Sequence, residues 1–162
     1  MDVEFREWAA ARLPALLRYA YVLTGDRHQA EDVLQTAVTR TLLAWSRVQR
    51  KDDPEGYVRR TIVRLVLNSR RRAWRERLTG SPPEPPAEPA GSGGPEERLV
   101  MWAALATLPP RQRAVVVLRY YEDLSEARIA EVLGCSTGTV KSQAAKALAR
   151  LRVHFETMEV AR

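Results

Sequence analysis

The chain has 162 residues, 26 basic against 20 acidic side chains for a net charge of +6, and 45% hydrophobic residues, enough for a core and too apolar for wholesale disorder. One cysteine, Cys135, excludes a disulfide framework and a cysteine-based zinc site, and two histidines, His28 and His154, leave little for metal or acid–base chemistry, so no cofactor is expected. No apolar run nears the roughly 20 residues that span a bilayer, and MDVEFREW lacks a signal pattern, which predicts a soluble cytoplasmic protein with no membrane partner.

Leu13, Leu16, Leu17, Ala20 and Tyr21 recur at the three-to-four spacing of an amphipathic helix, which Thr24-Gly25 should end. Asp26 is then an N-cap, with Gln29 placed to complete a capping box. Ala30, Val33, Leu34, Ala37, Thr41, Ala44, Trp45 and Val48 form the stripe of a helix running to about Ser46. Asp53-Pro54 starts the next helix, an N-cap followed by proline at the first helical position. Val58, Ile62, Leu65 and Ser69 give it a core face, and it continues to about Arg77. Residues 1–77 therefore read as an all-helical bundle.

That last helix carries a second pattern. Arg60, Arg64, Asn68, Arg71 and Arg75 advance by three or four and share one side, and Arg59, Arg70, Arg72 and Arg77 widen the band. Such a stripe suits a polyanion, and each phosphate it neutralises makes binding more salt-dependent. Among the neighbouring aromatics, Trp45 belongs to the core stripe, whereas Tyr57 and Trp74 are open to core or base-stacking roles.

Residues 78–96 break every periodicity. Six of the ten prolines and four of the eight glycines fall between Gly80 and Pro95, a composition that predicts a flexible linker. The linker is also acidic: residues 78–110 carry a net −3, between +6 for 1–77 and +3 for 111–162. Two basic bodies joined by an acidic strap point to a polyanion touched at two places.

Residues 97–162 read as a second helical domain. Leu99, Trp102, Ala103 and Ala106 mark a helix closed by Leu108-Pro109-Pro110, and another follows from about Arg111 to Tyr121 with Ala114, Val117, Leu118 and Tyr121 inward. Ser125 then caps a short helix holding Ile129, Ala130 and Leu133, Gly134 suits a left-handed turn, and Ser136 caps a longer helix with a stripe of Val140, Ala144, Ala147, Leu148 and Leu151. Short helix, glycine turn and longer helix spell a helix-turn-helix. On its outer side Ser142 and Gln143 suit base edges, and Lys141, Lys146 and Thr139 suit the backbone or groove.

The segments AEDVLQTAVTRTLLAW, DPEGYVRRTIVR and LPPRQRAVVVLRYYEDLSEARIAEVLGCSTGTVKS, in that order around a Pro-rich strap, resemble an extracytoplasmic-function (ECF) sigma factor, in particular the actinobacterial SigE group. The resemblance covers about residues 10–155. It implies an all-α chain of two small helical domains joined by the linker, with no catalysis of its own, that binds core RNA polymerase and promoter DNA.

By the same resemblance, Asp32, Val33 and Gln35 dock on the coiled coil of the β′ clamp, and the second domain meets the β flap. The loop Arg47–Asp53 and the helix bearing Arg59, Arg60, Arg64, Asn68, Arg71 and Arg75 melt the −10 element and hold its single strand. Thr139, Lys141, Ser142, Gln143 and Lys146 bind the −35 duplex, and Glu84 and Glu88 of the linker imitate RNA phosphates. An anti-sigma factor stays open as a regulator.

Three residues depart from the family pattern: Arg64 stands where many relatives carry Asn, Gln143 where Arg is common, and Arg128 where Glu would complete a capping box with Ser125. The different reading is a stand-alone helix-turn-helix regulator, which needs a dimerisation surface that no heptad run provides. An enzyme would need a nucleophile–base pair, a metal cluster or a phosphate loop, and the glycines at 91–94 lack the following GK[ST].

Overall fold

The computed structural model describes residues 2–48, 50, 53–76 and 95–161, with the backbone alone at 70–76, 95, 98 and 99. The chain divides into two compact units between Ala90 and Gly91, and every regular element among the described residues is helical. Residues 77–94, which hold the linker up to Gly94, and the side chains of Arg70, Arg71, Arg72, Trp74, Arg75 and Leu99 lie outside the described residues, while Pro95 and Glu96, expected in the linker, open α5.

In the first unit, α1 (Val3–Thr24), α2 (Arg27–Leu43) and α4 (Pro54–Glu76) pack mutually, with α3 (Trp45–Val48) a single turn after α2. Gly25 ends α1 in the left-handed conformation, φ 72°, and donates to the Tyr21 carbonyl at 2.9 Å. Asp26 caps α2 by accepting from the Gln29 N–H at 2.9 Å. Its own N–H meets the Thr24 hydroxyl at 3.4 Å, so Thr24 takes up the half of the box expected of Gln29.

The stripe on α2 is buried at Ala30, Val33, Leu34, Ala37 and Thr41, but the helix stops at Leu43 instead of running to Ser46. Ala44 leaves helical geometry at φ −102°, ψ 7°, and the new turn aims Trp45 at α1. There Trp45 packs against Phe5 and Trp8, with ring centroids 5.2 and 5.3 Å away. On α4, Val58, Ile62 and Val63 are wholly buried and Val66 nearly so, whereas Leu65 and Ser69, expected on the core face, are only half-buried. Leu13 is exposed at the edge of α1.

The second unit comprises α5 (Pro95–Ala106), α6 (Pro110–Val116), a π-helical turn (Val117–Tyr121), α7 (Glu126–Leu133) and α8 (Thr137–Val160). Trp102, Ala104 and Leu105 form the inward face of α5, while Ala103 and Ala106 face solvent. The predicted helix 111–121 changes to the wider π turn after Val116. The wider turn slows the rotation of successive side chains, and Tyr121, expected inward, is 61% exposed.

Arg113 is buried, and its guanidinium donates to the carbonyls of Leu105 at 2.9 Å, Leu108 at 3.2 Å and Ala106 at 3.4 Å. These carbonyls lie at the end of α5 and in the turn after it, where Leu105 also accepts from the Leu108 N–H at 3.1 Å, so one side chain ties the α5–α6 corner together.

Ser125 and Ser136 cap α7 and α8, each accepting at 3.1 Å from the N–H three residues on. Gly134, φ 66°, makes the left-handed turn between them, where a side chain would be strained. Val140 and Ala147 of α8 are fully buried; Leu148, one step further round, is exposed. α6, α7 and α5 pack against α8.

Candidate polymerase and nucleic-acid interfaces

On α2, Asp32 and Gln35 are both exposed, while Val33 is 8% exposed and belongs to the bundle core. Each residue of helix turns the side chain by roughly 100°, so Val33 points away from the face that Asp32 and Gln35, three apart, share. The outward pair is Asp32 and Gln35.

On α4 the arginines separate into two groups. Arg59 is half-buried: it donates to Glu55 at 2.6 Å and its guanidinium lies 5.3 Å above the ring of buried Tyr19. Glu55 also meets Arg12 of α1 at 3.3 Å, so this carboxylate ties α4 to α1. Arg60 donates to Asp53 Oδ2 at 3.3 Å, while Asp53 Oδ1 caps α4 by accepting from Gly56 N–H at 2.9 Å.

Arg64 and Asn68 face solvent one turn and two turns further on, each step advancing about 6 Å along the helix. The unbroken helix to Glu76 keeps Arg71 and Arg75 in register with them along the backbone. Sequence spacing groups these residues on one side; it also brings Glu55 within one turn of Arg59, but it does not reveal that Asp53, the cap of α4, holds Arg60.

On α8 the outward residues are Lys141, Ser142 and Lys146, with Gln143 half-buried. Thr139 is also half-buried, its N–H taken by the Ser136 cap and its hydroxyl 3.0 Å from the Ser136 hydroxyl. Glycine and alanine at Gly138 and Ala145 keep the outer surface low between the polar groups. A capped helix start with small residues, two lysines and a hydroxyl can lie in a major groove, its polar groups reaching phosphates and base edges.

One acidic residue missed by sequence reasoning sits at this edge. Glu126, at the first position of α7, accepts from Arg119 at 3.1 Å and lies 3.7 Å from the Lys141 ammonium. Fifteen residues separate Glu126 from Lys141, and no helical period predicts their meeting. Arg128, lacking the carboxylate of a capping box, instead meets Glu131 at 2.7 Å. Cys135 is half-buried in the turn, where its N–H donates to the Ala130 carbonyl at 3.1 Å. Among the described residues no cluster of His, Cys, Asp or Glu is suited to a metal, and no helix is long and apolar enough to cross a membrane.

Two family models cover these units: Sigma-70 region 2 matches residues 8–76, and Sigma-70, region 4 matches residues 98–151. The chain belongs to the sigma-70 family. Within it the relatives are ECF factors. The RNA polymerase sigma-E factor of Streptomyces coelicolor is 41% identical over 155 residues, covering 93% of this chain and 85% of that one. The ECF RNA polymerase sigma factor SigL of Mycobacterium tuberculosis is 36% identical over 162 residues, covering 91% and 86%. Among solved structures, the sigma factor RpoE of Bartonella quintana, in complex with the anti-sigma factor NepR, superposes with a TM-score of 0.76. It covers 99% of this chain and 100% of that one, and at 22% identity the likeness concerns fold alone. The ECF sigma factor is thus a non-catalytic specificity subunit acting in transcription initiation, with α1–α4 as its region 2 and α5–α8 as its region 4.

Proposed function

We propose that this sigma factor works in the cytoplasm, binding core RNA polymerase through region 2 and reading a promoter at two separate elements. Asp32 and Gln35, side by side on the exposed face of α2, meet the β′ clamp coiled coil, while Val33 supports them from the core. Arg64, Asn68, Arg71 and Arg75 follow the backbone of the melted −10 strand, where unstacking a base costs a few kcal/mol that cationic and stacking contacts must offset. Arg59 and Arg60 set the start of α4, held by Glu55 and Asp53, so their contribution to DNA is the placement of the helix.

Region 4 lays α8 in the −35 major groove: Lys141, Lys146 and the capped helix start on phosphates, Ser142 and Gln143 on base edges, Thr139 beside them. In domain terms, residues 1–77 serve the polymerase and the −10 element and residues 97–162 the −35 duplex and the β flap, with 78–96 as the tether. An anti-sigma factor, the partner seen with the Bartonella quintana relative, is a candidate regulator.

The observation that carries this reading is the outer face of α8, where Lys141, Ser142 and Lys146 are all exposed behind a Ser136 cap. The test is transcription in vitro from genomic fragments with core polymerase and the purified chain. Start-site-specific transcripts that need both proteins support it. A chain that shifts duplex DNA alone and confers no initiation on core polymerase overturns it in favour of a stand-alone regulator.

A further inference from the structure

At the edge of the helix-turn-helix, Glu126 meets two cations that promoter reading alone does not require it to hold. Arg119 comes from the π turn, Glu126 from the start of α7 and Lys141 from the second turn of α8. Glu126 Oε1 accepts from Arg119 Nη1 at 3.1 Å, and Oε2 lies 3.7 Å from Lys141 Nζ. The side chains are 35%, 30% and 68% exposed for Arg119, Glu126 and Lys141. The cluster therefore stands at the surface, where ion pairs are weak and exchange with outside ions readily. Glu126 is held in place twice more: it lies in the first turn of α7, where the helix dipole favours a carboxylate, and Arg119 is itself steadied 5.9 Å from the Tyr120 ring centroid. Lys141, on its flexible stem, is the member free to leave.

A carboxylate between two cations presents them with what a DNA phosphate would present. Resting on the region 4 reading, we propose that Glu126 is a built-in stand-in for a backbone phosphate: it occupies Arg119 and Lys141 in the DNA-free chain and lowers affinity for non-promoter duplex. Binding at a promoter exchanges the carboxylate for phosphate at Lys141. Net release of counterions is then smaller than the number of lysines and arginines at the interface would give, because one of them is neutralised from within.

The test uses the full chain without polymerase and a short fluorescent duplex of scrambled sequence, titrated by anisotropy over a range of NaCl. Glu126→Gln should raise affinity about two- to fivefold at low salt, the fold-change matching loss of an exposed ion pair. It should also steepen the dependence of log affinity on log salt by about 0.9 for each additional phosphate neutralised. Lys141→Ala in the Glu126→Gln background should cancel most of that rise in affinity. Glu156→Gln, which removes the same charge from the exposed far part of α8, should leave both quantities near their starting values. Helix content is checked by circular dichroism, and Glu126→Ala, read the same way, serves if the glutamine variant does not fold.

Equal behaviour of Glu126→Gln and Glu156→Gln, or a rise in affinity that survives Lys141→Ala, overturns the proposal. The region 4 reading fails separately: it is lost if −35-dependent transcription with polymerase ignores both Lys141→Ala and Lys146→Ala.

Discussion

Alanine in place of Gly56 should destabilise region 2, against ordinary helix propensity. In a helix, glycine to alanine normally stabilises by about 0.5–1 kcal/mol. Here a Cβ on Gly56 would fall on the Asp53 carboxylate. That carboxylate accepts from Gly56 N–H at 2.9 Å as the cap of α4 and from Arg60 at 3.3 Å. Rotating it away relieves the clash and sacrifices both interactions. Loss of the cap costs about 1 kcal/mol, and loss of the Arg60 pair, half-exposed, adds about 0.2–1 kcal/mol.

Set against the propensity term, the net is a loss of about 0.2–1.5 kcal/mol, and each 1 kcal/mol moves the midpoint of a domain this size by roughly 4–8 °C. Calorimetry on the full chain measures it. Asp53→Ala alone should cost about 1–2 kcal/mol, the cap and the pair together. In the Asp53→Ala background Gly56→Ala should turn stabilising, because nothing is left to displace; the sign change between backgrounds is the diagnostic coupling. A Gly56→Ala chain that melts at or above the wild type, or that behaves alike in both backgrounds, refutes the clamp.

Four further outcomes are expected. Arg113→Met should destabilise region 4 by about 3 kcal/mol, since it strips donors from three carbonyls at the α5–α6 corner; thermal unfolding reads it, and a change below about 1 kcal/mol, the scale of one neutral hydrogen bond, would refute the role. Asp32→Arg should weaken binding to core polymerase while leaving helix content intact, and unchanged affinity would count against the α2 face. Lys141→Ala should reduce transcription from a template with an intact −35 element; unchanged transcription from it would contradict groove contact. Burial, with a smaller push from Asp26, holds the Tyr21 phenol above its ordinary 10.0. Stability from that shift is complete below pH 10 and is lost as pH rises through the raised value, so the advantage of the wild type over Tyr21→Phe should shrink in alkaline melts.

Much of this molecule is legible in the residue order because its determinants are local. Caps at Asp26, Asp53, Ser125 and Ser136 act over three residues, and each is made as the sequence predicts. Gly25 and Gly134 end their helices in the left-handed conformation that a glycine after an apolar stripe announces. The 3.6-residue period that sorts Val140 and Ala147 inward also sorts Ser142 and Lys146 outward, so the helix-turn-helix and its outer face come from spacing alone.

What spacing misjudges are residues whose fate depends on another element. α2 ends before Trp45 because the aromatic cluster with Phe5 and Trp8 favours a new turn over a continued helix. Tyr121 turns outward because a π turn shifts the phase of the residues after Val116. Arg59 and Arg60 belong to the band of positive charge in sequence, yet Glu55 and Tyr19 hold the first and Asp53 the second. Glu126 meets Lys141 only because Gly134 folds α7 across the start of α8. Helix periodicity is a one-dimensional rule and fixes which face a side chain takes and which neighbours one turn away it meets, as Glu55 meets Arg59; what waits opposite that face is set by how helices cross, and for Lys141 with Glu126 and Arg59 with Tyr19 that crossing decided the partner.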